Sequence, residues 1–140
     1  MAVILDVNVF VSAALSSNGL SATLVRALRD GTLEVVVSAQ LLAELDDVLR
    51  RPRFRRFVTL EEVDDLLHEL ATLCRLEPDP EPGAAVLRDK KDDYLVFLAR
   101  AIDAECIVSG DADLTDESFE PPTLTPRQAI ERFNLARPGD

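Results

Sequence analysis

The residues of this 140-residue chain best equipped for chemistry are its carboxylates, 26 Asp and Glu against 15 Lys and Arg. Asp6 closes the apolar run Ala2–Asp6 (AVILD), and Asn8 and Ser12 follow shortly after. A carboxylate at such a place has no structural excuse, because burying it unpaired is expensive. Glu44 borders the stripe of Leu41, Leu45 and Val48, but Asp46 borders its other side, so periodicity does not choose between them. Asp92 and Asp93, preceded by Asp89, open an apolar helical stretch, where acids are equally welcome as caps. Asp111 and Asp113 stand in Ser109-Gly-Asp-Ala-Asp-Leu, a string that could also simply shape a turn. As a set, clustered acids repel one another and persist where something positive binds. All-oxygen ligation selects hard cations such as Mg²⁺ or Mn²⁺.

Other chemistries find little support. Zinc fits poorly with one histidine, His68, read as a surface or boundary residue in mid-helix, and two distant cysteines. The five glycines are isolated, so there is no phosphate-cradling loop, and neither a Gly-x-Ser-x-Gly elbow nor a histidine-based triad is present.

The elements that must position the acids can be read from the apolar pattern. Ala2–Asp6, Leu33–Val37 and Cys106–Ser109 are short, nearly all-apolar runs of the buried-strand type. A helix is expected from Ser21, stopped at Gly31, and another from its cap Ser38 to about Leu49, ended by Pro52. Thr59-Leu60-Glu61-Glu62 is a capping box opening a helix with Val63, Leu66, Leu67, Leu70 and Leu73 on one stripe. Glu77–Gly83 is a proline-punctuated loop. Further helices are expected from Asp93 to about Asp103, and from the capping box at Thr125 through Phe133. Apolar strands separated by helices indicate a parallel sheet covered on both faces, hence an α/β domain. In such sheets ligands bind beyond the carboxyl ends of the strands. Asp6, Ser109, Asp111 and the Ser38 helix carrying Glu44 all fall there.

Composition sets further bounds. A chain of this length with 47% hydrophobic and 29% charged residues can build one core and is not a disordered tail. Asp6 interrupts the amino-terminal apolar run, so no transmembrane helix or signal peptide is expected, and a cytoplasmic location is. Cys74 and Cys106 are expected to be reduced, buried thiols. A net charge of −11 argues against a purely electrostatic nucleic-acid binder, though not against an enzyme whose carboxylates hold cations. Arg50, Arg51, Arg53, Arg55 and Arg56 form a local exception, five cations in seven residues. They are read either as a solvated joint or as a contact for an RNA backbone or an acidic partner segment.

Four strings in order, Val3-Ile-Leu-Asp6-Val-Asn8-Val-Phe-Val-Ser12, the Ser38 to Glu44 helix, Asp92-Asp93-Tyr-Leu-Val-Phe-Leu-Ala and Val108-Ser109-Gly-Asp111-Ala-Asp113-Leu, resemble the PIN-domain family. More narrowly, they resemble its VapC-like toxin members, the toxin halves of bacterial and archaeal toxin–antitoxin systems. The resemblance runs from the first strand to about Leu114. It implies a three-layer α/β domain over residues 1–140, with a central, mostly parallel sheet of four to five strands flanked by helices. It implies a metal-dependent endoribonuclease that hydrolyses RNA phosphodiester bonds with water activated by Mg²⁺ or Mn²⁺. Carried over position by position, Asp6, Glu44, Asp93 and Asp111 are the catalytic and metal-holding acids. Asn8 and Ser109 match supporting polar positions, with Ser12 nearby; Asp92 stands as alternative to Asp93, and Asp113 to Asp111. The implied partners are RNA, a cognate small antitoxin and a second copy of the chain, in a homodimer or higher even oligomer. Two rivals stand beside this reading. One is a PIN-like scaffold that binds RNA or protein without cutting. The other is a metal-dependent phosphatase of the haloacid-dehalogenase type, which wants an Asp where this chain has Asn8.

Overall fold

The computed structural model describes residues 2–83, 92–115 and 118–135. Three apolar runs become the inner strands of a five-stranded sheet: β1 (Ala2–Leu5), β2 (Glu34–Val37) and β4 (Cys106–Val108). Two dipeptides, β3 (Arg75–Leu76) and β5 (Thr123–Leu124), form its edges. All pairings are parallel and the spatial order is β3-β2-β1-β4-β5. The inner strands are buried along almost their whole length, which is why they read as continuous apolar runs rather than alternating ones. The chain leaves β1 toward β2 and β3, then returns to pair β4 with the other side of β1. That reversal between β1 and β4 is a topological switch point, and in such sheets ligands bind beyond the carboxyl ends of the strands there.

Seven α-helices flank the sheet among the described residues: α1 (Val7–Leu15), α2 (Leu20–Arg29), α3 (Ala39–Leu49), α4 (Leu60–Leu73), α5 (Asp93–Ala101), α6 (Ala112–Thr115) and α7 (Pro126–Arg132). Packing joins α1 to α2 and α3, α2 to α7, α3 to α4, and α5 to β1 and β4. Both expected capping boxes form. Thr59 exchanges bonds with Glu62 at the start of α4, and Thr125 with Gln128 at the start of α7. Gly31 ends α2 at a φ of +77°, a conformation that penalises any residue with a Cβ. Leu41, Leu45 and Leu49, spaced by four, are all fully buried along α3. Each such burial contributes about 1.5–3 kcal/mol to stability.

The structure departs from the sequence reading in three ways. The strands expected to include Asp6 and Ser109 stop one residue earlier, so both polar side chains sit just past a strand end rather than within it. Val7–Leu15, not read as any element, is helical. Its Val7, Val9, Phe10 and Val11 are buried, and so many apolar residues in succession hide the helical period. The edge strands β3 and β5 also went unread. Two residues are too few to carry a pattern, and what makes them strands is pairing with β2 and β4.

No helix of the described residues is long and apolar enough to cross a membrane. Cys74 and Cys106 are free and buried as expected, and His68 is exposed.

Candidate active site

The register of β1 against β4 pairs Leu5 with Val108. One step further along both strands stand Asp6 and Ser109. The backbone N–H of Asp6 donates to the Val108 carbonyl at 2.9 Å, and the Ser109 hydroxyl donates to Asp6 Oδ2 at 2.7 Å. Ser109 is fully buried and Asp6 is 5% exposed. The same Ser109 oxygen accepts the backbone N–H of Asp111 at 2.9 Å, so one hydroxyl ties the first strand's acid to the loop after the fourth. That loop is steadied from its other side, because the Asp111 carbonyl accepts from the N–H groups of Leu114 and Thr115, the last two residues of α6.

Asp6 occupies the N-cap position of α1, yet its side chain makes no regular capping bond there. Its carboxyl is pushed above the ordinary range, chiefly because burial disfavours the charge. The Ser109 hydroxyl and the neighbouring Asn8 N–H pull the other way, while the charges of Glu44 and Asp111 push it further up. Both acids are therefore electrostatically present at Asp6, although they come from α3 and from the loop before α6.

Glu44 is half-buried on α3 and accepts the Tyr94 hydroxyl at 2.6 Å. Asp46, on the other side of the stripe, pairs instead with Arg50 at 2.6 Å. Tyr94 itself is buried on α5, and its hydroxyl is held above its usual range, first by burial and then by Glu44, with Asp6 and Asp92 adding to the effect. Sequence reasoning gave Tyr94 no part in the site. The signal available was that it is the chain's single tyrosine, and a buried tyrosine hydroxyl needs a partner.

Asp92 and Asp93 are 7% and 6% exposed, so burial does not separate the two registers, and neither carboxylate lacks an interaction partner. The charge of Asp92 adds to those of Glu44 and Asp6 at Tyr94. Asn8 and Ser12 are exposed, four residues apart and hence on one face of α1, next to Asp6 in sequence. Asp113 lies in α6 with its side chain outside the described part of the structure, and Asp89 lies outside the described residues altogether. The acids gather along one edge without closing into a cage. Among the described residues, no three His, Cys, Asp or Glu side chains stand close enough to hold a metal ion as they are.

The arginine cluster is not at this edge. It begins at Arg50, the C-cap residue just past α3 and six residues beyond Glu44, about 9 Å of helical rise. Arg50 is bonded to Asp46 and Asp64, Arg51 to Asp47 at 3.4 Å, and Arg55 to the Leu49 carbonyl.

Fold and site together define a class, a parallel α/β protein with carboxylates gathered at the switch point of its sheet. A family model for the PIN domain matches residues 2–113, and the chain belongs to that family. PIN domains are generally nucleases and typically use divalent metal ions. A search of curated proteins finds no match to this chain.

Proposed function

We propose that this protein is a Mg²⁺- or Mn²⁺-dependent endoribonuclease of the VapC-like kind, one domain over residues 1–140, with Asp6 at the centre of its site. The observation that carries the reading is Asp6 itself. A buried carboxylate whose proton is held by burial and by the charges of Glu44 and Asp111 is costly to ionise, and a bound cation reverses each of those costs. The donor set fits a hard cation, since Asp6, Glu44, Asp93 and Asp111 offer oxygen alone. When bound, the ion supplies an acidified water and neutralises charge on the scissile phosphate.

The chain's own residues prepare that site. Ser109 orients Asp6 and anchors Asp111 through one oxygen, and Tyr94 aims Glu44. Asn8 and Ser12 offer exposed polar groups beside Asp6, where a phosphate or ribose hydroxyl could bond.

The test is cleavage of a labelled RNA by pure protein with Mn²⁺. Activity abolished by Asp6→Asn, in a protein that still folds, is the expected result; cleavage by the variant at the wild-type rate would sink the assignment. Asp93→Asn is expected to behave like Asp6→Asn, and a loss confined to Asp92→Asn would move the register by one residue. A PIN-like scaffold that binds without cutting has one observation in its favour, the separation of the carboxylates among the described residues. Metal-dependent turnover separates the two.

Two partners complete the proposal. A cognate antitoxin would lower activity by covering the acidic edge, with a basic side chain among the carboxylates. A co-purified small protein that leaves cleavage undiminished would count against it. Pairing of two copies has less spare surface than the helical stripes suggest, because Leu41, Leu45, Leu49, Val63 and Leu70 are spent within one core. Leu73 at the end of α4 and Leu76 in β3 are, with Phe57 and Leu60, the large apolar side chains left exposed for it among the described residues. Sedimentation at a mass near the 15.4 kDa of one chain would exclude the pair.

A further inference from the structure

We propose that the turn between α3 and α4 is a stacking platform for unpaired RNA bases, with Phe57 as the base-binding ring and Arg53 and Arg56 as phosphate contacts. The proposal rests on the nuclease reading for the identity of the polymer, and on the turn itself for everything else. Pro52–Phe54 is a 3-10 helix, and i to i−3 bonds run through it and beyond. Phe54 donates to Arg51 at 3.0 Å, Arg55 to Pro52 at 3.1 Å and Phe57 to Phe54 at 3.0 Å. At about three residues per turn, positions i and i+3 eclipse. The repeat Arg53-Phe54, Arg56-Phe57 places one Arg-Phe pair in the 3-10 helix and the next in the turn just past it.

The two rings are used differently. Phe54 is half-buried and packs against the core, which anchors the turn. Phe57 is 53% exposed, with Leu60 exposed close by. Each ring carries its neighbour's guanidinium, Arg53 at 4.8 Å from the Phe54 centre and Arg56 at 5.2 Å from that of Phe57. The structure also sorts the five cations. Arg50 and Arg51 are neutralised by Asp46, Asp64 and Asp47, and Arg55 is turned in to the Leu49 carbonyl. Among the described residues, Arg53 and Arg56 have no carboxylate partner.

Although the chain as a whole is −11, these two cations without a carboxylate partner among the described residues, beside an exposed aromatic ring, make a local exception that suits a polyanion. An acidic peptide matches the charge but brings no planar partner for Phe57. An RNA duplex brings phosphates but keeps its bases stacked inside. Single-stranded RNA brings both, phosphates for the arginines and an open base for the ring.

The test measures binding of the full chain to a short labelled RNA, single-stranded or as a duplex, in EDTA and at several salt concentrations. Phe57→Ala is expected to weaken single-strand binding roughly 5- to 150-fold and to leave duplex binding nearly unchanged, with Phe57→Trp restoring it. The double variant Arg53→Ala, Arg56→Ala is expected to flatten the salt dependence by about 1.4 in log–log slope, whereas Arg51→Ala leaves it as it was. Wild-type single-strand affinity in Phe57→Ala overturns the proposal. So does an equal loss for single strand and duplex, or a change in sedimentation alone, which would make the turn a protein contact. Because EDTA removes catalysis, the two readings fail separately. Phe57-dependent binding without any Mn²⁺-dependent cleavage sinks the nuclease and leaves the platform, and cleavage with unaltered Phe57→Ala binding does the reverse.

Discussion

Replacing Ser109 by alanine removes one oxygen from the middle of the candidate site and breaks two hydrogen bonds at once. The bond to Asp6 Oδ2, at 2.7 Å, is charge-assisted when the carboxylate is ionised, and the bond from the Asp111 N–H, at 2.9 Å, is an ordinary one. With Ser109 fully buried, water does not readily replace either. A hydrogen bond to a charged group contributes about 1.5–3 kcal/mol and a neutral one about 0.5–1.5. Ser109→Ala is therefore expected to lower stability at neutral pH by about 2–4 kcal/mol. For a chain of this length that is a fall in Tm of roughly 7–14 °C. The charge-assisted share can be isolated by a double-mutant cycle with Asp6→Asn, which keeps an acceptor oxygen and removes the charge. In that background the serine should matter less, by about 1 kcal/mol. Urea and thermal unfolding of the four proteins, in EDTA, give all the terms. A Ser109→Ala protein melting within about 2 °C of wild type, or a cycle that closes additively, would refute the argument that this hydroxyl holds an ionised Asp6.

Asp6→Asn alone should be more stable than wild type at neutral pH in EDTA. The folded-state pKa of Asp6 is raised, so its ionisation lowers stability as pH climbs through that value, and the penalty is absent below the unfolded pKa of about 3.8. The Tm difference between the two proteins should thus shrink on acidification; a constant difference would deny the shift. Tyr94→Phe should cost about 1–2 kcal/mol in urea unfolding and lower RNA cleavage roughly 10- to 100-fold through a misaimed Glu44. A fall in stability without one in kcat would make the contact merely structural. Burial pushes the thiols of Cys74 and Cys106 up to about 12 and about 11, so both should resist thiol reagents at pH 8 until urea unfolds the chain. Rapid labelling of the native protein would contradict their burial.

What the sequence determined by itself is local in origin. The capping boxes at Thr59 and Thr125 were legible because their partners lie three residues away. The inner strands were legible because burial on both faces leaves an unbroken apolar run, and Asp6 stood out because such a run tolerates no idle carboxylate. The matching motifs placed the acids in order but left their surroundings open. Tertiary structure decided what depends on distant partners. Glu44 and Asp46 are told apart by their partners, Tyr94, fifty residues on, for the first and the nearby Arg50 for the second. Ser109 acquires its role from a strand register that sets it beside Asp6, 103 residues away. The dipeptides of β3 and β5 are strands through pairing alone. Five arginines look alike in one dimension. Folding gives Arg50, Arg51 and Arg55 partners from α3 and α4, and only then do Arg53 and Arg56, stacked on the two phenylalanines, stand out as the two of the five without a carboxylate partner among the described residues.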